Sequence, residues 1–523
     1  MCVPTRSVGT RRVEEKIEDE HDDEDEDDCA GKEAAMGKDR SWHGPMDQID
    51  ECRWRIPRSY KDGMRVDGVI YADERMIQQV MGDNAPEQVA NVAFLPGIQR
   101  CSMAMPDIHW GYGFPIGGVA ATDPEEGGVV SPGGVGYDIN CGVRLVRTRL
   151  AEEQVRKDLK GLVSKLFATV PCGVGKSGQI RFSRAEERKL VAEGARFVVK
   201  QGYGRREDVE HTEANGCLPG ADPDVISDRA YQRGAGQCGT LGSGNHFVEV
   251  QVVDEVHDEA AATAFGLGVG SVTVMIHSGS RGFGYQVCDE YVHSLVKAAQ
   301  RYQIGLPDRQ LACAPVHSPE GERYLAAMRC AANYAWGNRQ ALMHLVRTAF
   351  EKFFQASPGE LGMDLIYDVA HNIAKLETHT VGGRERTLCV HRKGATRAFP
   401  PGHPEVPAEY RHLGQPVIIP GDMGRNSYLL VGTQKAMDET FGTTCHGAGR
   451  VMSRKQATRT ANGHDVANRL ERQGIIVRAP NWKGLAEEQP AAYKDVNAVV
   501  DVVHRAGLAR KVCRMRPLGV IKG

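Results

Sequence analysis

The sequence predicts an α+β fold in which short strands and amphipathic helices are joined by glycine-rich turns. Three observations predict it: apolar residues recur at helical intervals in some segments, short apolar runs typical of strands occur in others, and 60 glycines are spread over the 523 residues. The apolar fraction of 41% and the charged fraction of 25% are those of a soluble globular protein. A chain of this length and composition has enough apolar residues for a sizeable core.

The first 45 residues differ in composition from the rest. Between Glu14 and Asp28, twelve acidic residues stand against Lys16, so this stretch has a charge of −11 and the remainder has +8 in a chain of formal net charge −3. Because residues 1–45 carry too little apolar surface to offset the entropy cost of ordering, we expect a disordered acidic extension. We interpret this extension either as a solvated tail or as a segment that mimics nucleic acid. The basic surplus elsewhere is compatible with a nucleic-acid partner.

The sequence contains no membrane-targeting signal. No apolar run reaches the ~18 residues that a transmembrane helix needs, and the N-terminus has no apolar signal-peptide segment, so we expect a cytoplasmic protein without a membrane partner. The 14 cysteines include no CxxC pair. Their spacing excludes a zinc ribbon and a thioredoxin-like motif and predicts that most are buried free thiols.

Three helices are predicted from apolar spacing. Residues 151–168 carry an amphipathic pattern, and residues 285–300 and 322–356 also look helical. The last helix is expected to divide near Gly337. Residues 106–118, PDIHWGYGFPIGG, are rich in glycine, proline and aromatic residues and predict a packed loop, in which His109 is a ligand, an RNA contact or a hydrogen-bonded loop histidine.

Three short apolar runs predict strands at residues 247–253, 271–276 and 365–370. A glycine-rich turn, GTLGSGNHFVEV, leads into the first strand, and the other two end in polar residues. The polar residues at these strand ends are Asn245 and His246 before the first, His277 and Arg281 after the second, and His371 and Asn372 after the third.

Two glycine motifs imitate nucleotide-binding loops. The segment PCGVGKSG has Val170 where a Walker A loop needs its first glycine, so a phosphate cradle is not encoded. The GxGxxG pattern that begins at Gly234 follows polar residues and precedes a predicted strand, whereas a dinucleotide-binding fingerprint follows a strand and opens a helix. We therefore reject both interpretations.

The segment SPGGVGYDINCGVRL, residues 131–145, holds the first predicted metal ligands. Asp138 and Cys141 lie three positions apart between glycines, which lets a carboxylate and a thiol converge on one point. A site with both ligand types suits manganese or zinc better than calcium or magnesium. DxxC alone is a weak pattern, because an isolated cysteine is more often a small buried apolar residue. Whether Asp138 and Cys141 are metal ligands therefore depends on which other potential ligands accompany them.

Those partners are the histidines at the strand ends. With His246, His277 and His371, the two ligands above form a set of one carboxylate, one thiol and three imidazoles. Five ligands exceed one tetrahedral site, but a thiolate is able to bridge two ions about 3.5–4 Å apart. His446 lies outside this set, in FGTTCHGAGR, and is free to act as a nucleophile on phosphorus.

A basic cluster occurs in VHRKGATRAFPPGHP. Arg392, Lys393 and Arg397 are predicted to lie together in a loop. They form either a phosphate or RNA contact or a solvated charged face.

Seven motifs occur in the order found in one known family: GYDINCGVR, GTLGSGNHFVEV, HSGSRG, DVAHN, VHRKGATRAFPP, FGTTCHGAGR and the terminal KG. Over residues 50–523 the chain resembles the RtcB-type RNA ligases, which join RNA ends with GTP and manganese. The resemblance implies a single large catalytic domain over residues 46–523. It also implies that Asp138, Cys141 and His246 hold one Mn²⁺ ion, and that Cys141, His277 and His371 hold a second.

The resemblance also implies a nucleotide site. His446 takes GMP from GTP, and the guanylate pocket consists of Asn245, His246, Phe247, Val248, Glu249, His371, Asn372, Pro420, Gly421, Asp422, Met423, Ser427, His446, Gly447, Ala448, Gly449 and Lys522. Asp422 departs from the family pattern, since many relatives carry a small hydroxyl residue there. We expect Arg425 to compensate its charge or to contact RNA, and a carboxylate to accept from the guanine ring nitrogen and amine.

The implied reaction joins a 2′,3′-cyclic phosphate or 3′-phosphate RNA end to a 5′-hydroxyl end in tRNA splicing or RNA repair, with Arg281 and Arg392 holding the RNA. An archease-like activator is an implied partner, and the oligomeric state stays open. Two alternative functions would require different residues. A metal-dependent phosphoesterase that acts on RNA ends without joining them needs the metals but not His446, and a non-catalytic RNA-binding protein does not need Cys141.

Overall fold

Two large, mainly antiparallel sheets form the framework of the protein. The computed structural model describes residues 41–173 and 175–523, so the acidic extension predicted for residues 1–45 lies almost wholly outside the described residues. Sheets and helices alternate irregularly through the described part, which confirms the α+β prediction.

The first sheet has seven strands: β1 (Asp47–Asp50), β2 (Arg53–Ile56), β3 (Asp67–Tyr71), β4 (Cys101–His109), β5 (Ile116–Thr122), β12 (Asn372–Val381) and β13 (Arg384–Lys393). Their order across the sheet is β1-β2-β3-β4-β5-β13-β12, and only the β3–β4 pair is parallel within it. Two small ladders adjoin the sheets, one of β6 (Val129–Val130) with β10 (Ala314–Pro315) and one of β14 (Ala395–Arg397) with β17 (Thr443–Cys445).

The second sheet contains β7 (Gly142–Ala151), β8 (Phe247–Val256), β9 (Ser271–Ser278), β11 (Asp364–Ala370), β15 (Pro416–Ile419), β16 (Ser427–Gly432), β18 (Ile476–Arg478) and β19 (Ala509–Lys522). Its order is β11-β7-β9-β8-β19-β16-β15, and β18 joins β19 in parallel. The central strands are rich in valine and isoleucine and are buried on both faces, which explains their near-continuous apolar sequences.

The α-helices in the described residues are α1 (Glu74–Met81), α2 (Ala85–Val92), α3 (Glu152–Arg156), α4 (Leu159–Thr169), α5 (Arg184–Glu193), α6 (Ala195–Lys200), α7 (Arg206–Glu210), α8 (Asp228–Gly234), α9 (Glu259–Ala264), α10 (Arg281–Arg301), α11 (Pro319–Phe354), α12 (Gln434–Thr440), α13 (Arg454–Thr460), α14 (Gly463–Arg472), α15 (Trp482–Glu487) and α16 (Val496–Arg505). None of these helices combines the length and the apolar composition needed to cross a bilayer.

Helix α11 is the central helix of the fold. Its start is fixed by Ser318, whose hydroxyl accepts from the Gly321 N–H, and by Pro319 at the first helical position. The predicted division near Gly337 is wrong, because the helix runs unbroken for 36 residues. A Cβ at Gly337 would lie 2.3 Å from Leu190 Cδ1, so this glycine allows α5 to pack closely on α11.

Most of the other predicted helices and strands occur in the structure. The strands predicted at 247–253, 271–276 and 365–370 and the helix at 285–300 are confirmed, each slightly extended. The helix predicted at 151–168 is divided into α3 and α4, where Asp158 caps α4 by accepting from the Gly161 N–H. The predicted loop 106–118 is shorter than expected, because its ends belong to β4 and β5.

The register of the second sheet brings separate strand ends together. Strands β11, β7, β9 and β8 pair antiparallel, so the start of one strand lies beside the end of the next. Residues that are distant in sequence therefore lie close together at one edge of the sheet, the one formed by the strand ends. The pairs that place them there are Gly142–Ala370, Gly142–Ser278, Phe247–His277 and Phe247–Lys522.

Candidate metal and nucleotide site

A deep cavity opens at the edge where these strand ends meet. Most of the residues predicted for metal or nucleotide binding line it, namely Asp138, Cys141, Asn245, His246, Phe247, Glu249, His277, His371, Asn372, Pro420, Gly421, Asp422, Met423, His446, Gly447, Ala448, Gly449 and Lys522.

Two predicted pocket residues do not line the cavity. The Val248 side chain points to the opposite face of β8, where it packs in the core with Leu342 of α11. Ser427 is buried behind the cavity wall, and its hydroxyl accepts from the Gly421 N–H at 3.2 Å and from Gln251 Nε2 at 3.0 Å. Ser427 therefore holds the Pro420–Met423 turn in place rather than facing the cavity.

Asp138, Cys141 and His246 form a compact ligand cluster. One ligand atom from each lies within 4.8 Å of the others, with His246 Nε2 at 3.0 Å from Asp138 Oδ2 and at 3.5 Å from Cys141 Sγ. His246 Nδ1 lies 3.1 Å from the Leu241 carbonyl, which fixes the ring and leaves Nε2 to face the cluster. Carboxylate, thiol and imidazole are the donor set of a borderline divalent ion.

His277 and His371 extend this cluster. His277 Nε2 lies 3.1 Å from Cys141 Sγ, and the His277 and His371 rings are 5.5 Å apart. His371 Nδ1 contacts Thr396 Oγ1 at 3.0 Å, whereas its Nε2 is buried and has no hydrogen-bond partner among the described residues. A buried imidazole nitrogen without a hydrogen-bond partner, next to the His277 ring, fits a metal ligand. Cys141 Sγ thus lies within 3.5 Å of Nε2 of both His246 and His277.

The electrostatics of the cluster favour the ligand forms of these side chains. Burial opposes the charge of Asp138, but the hydrogen bond and charge of His246 hold the pKa of this carboxyl well below its ordinary value. Burial lowers the pKa of His277 and of His371 well below the ordinary range, and the neighbouring histidines add to the effect. At neutral pH these groups are a carboxylate and two neutral imidazoles.

His446 lies beside the cluster with its ring oriented by Asp107. His446 Nδ1 donates to Asp107 Oδ2 at 2.5 Å, and the backbone N–H groups of His446 and Gly447 donate to the same oxygen. Burial opposes ionisation of Asp107, but the charge and hydrogen bonds of His446, with Lys494 nearby, hold its pKa below the ordinary value. Because the ionised carboxylate only accepts, the His446 nitrogen that donates to it is Nδ1, and Nε2 is the ring nitrogen that is not engaged by Asp107. The His446 ring lies 5.2 Å from that of His371.

Acidic side chains line another part of the cavity. Burial raises the pKa of Glu249 to about 8, against the effects of Gln251 and Lys522, and raises that of Asp422 to about 6, against the effect of Arg425. Asp422 Oδ2 is buried without a hydrogen-bond partner among the described residues, although Arg425 Nη1 is 3.4 Å away. Two carboxyl groups here are thus able to accept from a bound ligand.

Glu488 organises the cations of the cavity, and the sequence analysis missed it. Its buried carboxylate pairs with Arg450 at 3.1 Å and with Lys522 at 3.5 Å, and it accepts from the Tyr493 hydroxyl. Burial opposes ionisation of Glu488, but Lys522, Arg450 and Arg454 hold its pKa far below the ordinary value. Lys522, next to the last residue, is therefore a fixed part of the cavity wall.

The predicted loop at 390–404 is wrong for its three cations. Arg392 and Lys393 end strand β13 and Arg397 ends β14, and all three side chains are fully buried. Arg392 makes a two-pronged ion pair with Glu377 at 2.7 and 2.8 Å and donates to Thr443 Oγ1. These cations stabilise the interior, so Arg392 is not placed to hold RNA.

Two smaller corrections concern histidines. His277 is the penultimate residue of β9 rather than the first residue after it, so its ring is fixed by the sheet. His109 ends β4 and lines the cavity, and its Nδ1 is 3.0 Å from the Trp110 carbonyl.

Asp107 is the second functional candidate that sequence reasoning missed. It lies inside the glycine- and aromatic-rich segment 106–118, where only the histidine drew attention. A single acidic residue in the otherwise mainly apolar run MAMPDI was the available signal.

Comparisons with known proteins identify the family of the chain. A family model described as "tRNA-splicing ligase RtcB" matches residues 88–523. Among curated relatives, a "tRNA-splicing ligase RtcB" of Archaeoglobus fulgidus is 57% identical over 480 residues, which cover 92% of this chain and 99% of the relative. One from Thermococcus kodakarensis is 54% identical, covering 92% of this chain and 99% of the relative. An "RNA-splicing ligase RtcB" of Mycobacterium tuberculosis is 54% identical, covering 83% of this chain and all of the relative. The chain therefore belongs to the RtcB family.

Proposed function

We propose that this protein is a GTP-dependent RNA ligase that joins a 2′,3′-cyclic phosphate or 3′-phosphate RNA end to a 5′-hydroxyl end. The observation that carries the proposal is the arrangement of His446, whose Nδ1 is held by Asp107 beside a cluster of thiol, carboxylate and imidazole ligands. The names of the relatives, which are tRNA- or RNA-splicing ligases, support the same reaction class.

The proposed metal ligands fit two Mn²⁺ ions. Asp138, Cys141 and His246 would hold one ion, and Cys141, His277 and His371 the other. The orphaned Nε2 of His371 and the neutral state of the buried imidazoles support this assignment. When bound, the ions supply Lewis-acid stabilisation of charge on phosphate oxygens.

The nucleotide would occupy the rest of the cavity. Guanine presents a ring N–H and an amine, and Glu249 and Asp422 offer carboxyl oxygens that accept from such donors. Phe247 offers an aromatic face, and Lys522, with its Nζ 5.5 Å from the centre of that ring, adds a cation. The loop of residues 446–449 brings His446 to the same cavity, with Asn245 and Asn372 as further polar contacts.

The proposed reaction has three steps. His446 Nε2 attacks the α-phosphorus of GTP, so that a P–N bond forms and pyrophosphate leaves. Water opens the cyclic phosphate to a 3′-phosphate, and an oxygen of that phosphate takes the GMP as the P–N bond breaks. The 5′-hydroxyl of the second RNA then attacks the activated 3′-phosphate, which forms the phosphodiester bond and releases GMP.

The substrate follows from this chemistry. RNA ends produced in tRNA splicing or by RNA damage carry these groups, and the half-buried Arg281 at the cavity wall is a cation for the strand. We also propose that residues 46–523 act as one catalytic unit and that an archease-like protein activates it, as the family resemblance implies.

Incubation with α-labelled GTP and Mn²⁺ tests the proposal. We expect a labelled protein whose adduct is labile in acid and stable in base, as a phosphoramidate on histidine is. His446→Ala should abolish labelling and ligation, whereas His293→Ala, on the exposed surface of α10, should label like the wild type. If His446→Ala still opens cyclic phosphates and the wild type never joins ends, the protein is a phosphoesterase of RNA ends instead.

A further inference from the structure

Two consecutive residues in the middle of α11, Asn338 and Arg339, lie directly behind the proposed metal ligands. Both side chains are fully buried, although polar side chains in a helix interior are seldom so. Their hydrogen bonds go mainly to segments of the chain that carry the ligands, rather than to neighbouring helices. The segments are residues 138–141, 239–246, 277–280 and 368–371.

Arg339 uses its whole guanidinium group in this way. Nε and Nη2 donate to the two oxygens of Asp368 at 2.9 and 2.8 Å, three residues before His371. Nη1 donates to the carbonyls of Asn140 and Ser278 at 2.7 and 3.0 Å, and Nη2 also donates to Asn140 Oδ1 at 2.9 Å. These contacts account for all five N–H groups and join the segments that carry Cys141, His277 and His371.

Asn338 connects the segment of residues 239–246, which carries His246, to the segment that carries His277. Its Oδ1 accepts from the Gly239 and Thr240 N–H groups at 2.8 and 3.2 Å. Its Nδ2 donates to Ser278 Oγ at 3.1 Å and to the Gly279 carbonyl at 3.0 Å. The Ser278 hydroxyl in turn donates to the Leu241 carbonyl, which is the group that contacts Nδ1 of His246.

The backbone around Cys141 is shaped to receive this arginine. Asn140 has φ +53, a left-handed conformation that glycine and asparagine adopt more readily than other residues. A Cβ at Gly142 would lie 2.9 Å from Arg339 Cζ, so only glycine lets the guanidinium approach the backbone this closely. Both residues flank Cys141.

We propose that Asn338 and Arg339 are positioning residues that preset the geometry of the metal ligands and thereby raise the metal affinity of the site. The inference rests on the metal site of the proposed function. Ligands that are already held in place lose little conformational entropy when an ion binds, and removal of such supporting hydrogen bonds typically lowers metal affinity about 10- to 100-fold.

The same helix offers matched controls. Asn333 is also fully buried, but its amide bonds Leu218 and the carbonyls of residues 191 and 192, away from the site. Arg347 is buried in a two-pronged ion pair with Asp208 and donates to the Met363 carbonyl. Asn333→Ala and Arg347→Lys therefore perturb α11 in comparable ways without touching a ligand segment.

The experiment is a Mn²⁺ titration of the full chain, followed by the free-ion electron paramagnetic resonance signal, with thermal unfolding of each metal-free variant. We expect Asn338→Ala and Arg339→Lys to weaken Mn²⁺ binding about 10- to 100-fold, and the two controls to bind Mn²⁺ like the wild type even where their unfolding temperatures fall. If Asn338→Ala does not fold, Ser278→Ala provides the test instead. It removes only the hydroxyl that links Asn338 to the Leu241 carbonyl, and it should also weaken Mn²⁺ binding.

Three results would overturn the inference. Wild-type affinity in Asn338→Ala and Arg339→Lys would leave the proposed function intact and remove only the positioning role. Equal weakening in the control variants would show that general loosening of α11 is the cause. A wild-type protein that binds no Mn²⁺ would remove the proposed metal site together with this inference.

Discussion

Asp107 Oδ2 accepts from His446 Nδ1 at 2.5 Å and from the His446 backbone N–H at 2.9 Å. One oxygen thus fixes both the ring and the peptide group of the same residue. A second residue, Lys494, donates to the carbonyls of Pro106 and Ile108 on either side of Asp107 and keeps its strand in position. The His446 ring is therefore held in one orientation, with Nδ1 directed at Asp107, before any nucleotide binds.

Asp107→Asn should slow labelling of His446 by GTP roughly 10²- to 10⁴-fold, as comparable changes do in other Asp–His pairs. The amide removes the charge that keeps the proton on Nδ1, so the ring populates the tautomer whose Nε2 is protonated and cannot attack phosphorus. Single-turnover labelling measures the rate. Asp123→Asn, which alters another buried aspartate paired with Arg386, should label normally. Unchanged labelling in Asp107→Asn would refute the orienting role.

Cys141→Ser should weaken Mn²⁺ binding by at least about 100-fold, since a neutral hydroxyl would replace the thiolate that we propose as a ligand of both ions. Labelling by GTP should be lost with it, and in the wild type a chelator should abolish labelling and added Mn²⁺ restore it. Cys389→Ser changes a buried cysteine outside the cluster and should affect stability alone. Equal Mn²⁺ affinities for the two serine variants would contradict the assignment of Cys141.

Glu249→Gln should change how stability depends on pH. Burial raises the pKa of Glu249 from 4.5 to about 8, so between these values the folded protein keeps a proton that the unfolded chain releases. The contribution of Glu249 to folding stability is therefore lost as pH rises through this window, by about 1.4 kcal/mol for each unit. Because glutamine does not titrate, the folding stability of Glu249→Gln does not fall with pH for this reason.

Thermal unfolding of the metal- and nucleotide-free proteins across that pH range provides the measurement. The unfolding temperature of the wild type should fall relative to that of Glu249→Gln as pH increases. Glu255→Gln, on the same strand but half-exposed and paired with Arg514, serves as the control. Parallel curves for the wild type and Glu249→Gln would show that Glu249 does not retain its proton.

The sequence was informative wherever a ligand type coincided with a local pattern. His246, His277 and His371 stand at the ends of short apolar runs, and Asp138 and Cys141 share a glycine-hinged segment, so each was visible before any coordinates. The register pairs that bring them to one sheet edge, such as Phe247 with His277, were not visible, because pairing between strands far apart in sequence depends on the whole topology.

Other residues were misjudged because burial is a property of the fold. Three cations in VHRKGATRAF have the composition of a solvated loop, yet Glu377, Glu405 and Glu213 neutralise Arg392 and Arg397 inside the protein. The acid that pairs with Arg392 comes from a neighbouring strand. Asn338 and Arg339 were hidden for the same reason, since nothing in a helical pattern marks a polar residue that serves segments elsewhere in the chain.

The burial of Arg392 can be tested against the earlier expectation that it holds RNA. Arg392→Ala should destabilise the protein by about 3–5 kcal/mol, because the Glu377 carboxylate is left buried without its main partner. RNA affinity, measured below the unfolding temperature, should stay at the wild-type level. Arg281→Ala, which alters a half-buried cation of the cavity wall, should show the reverse, with weaker RNA binding and little change in stability. Weaker RNA binding by Arg392→Ala at an unchanged unfolding temperature would mean that the guanidinium leaves its ion pair to meet the substrate.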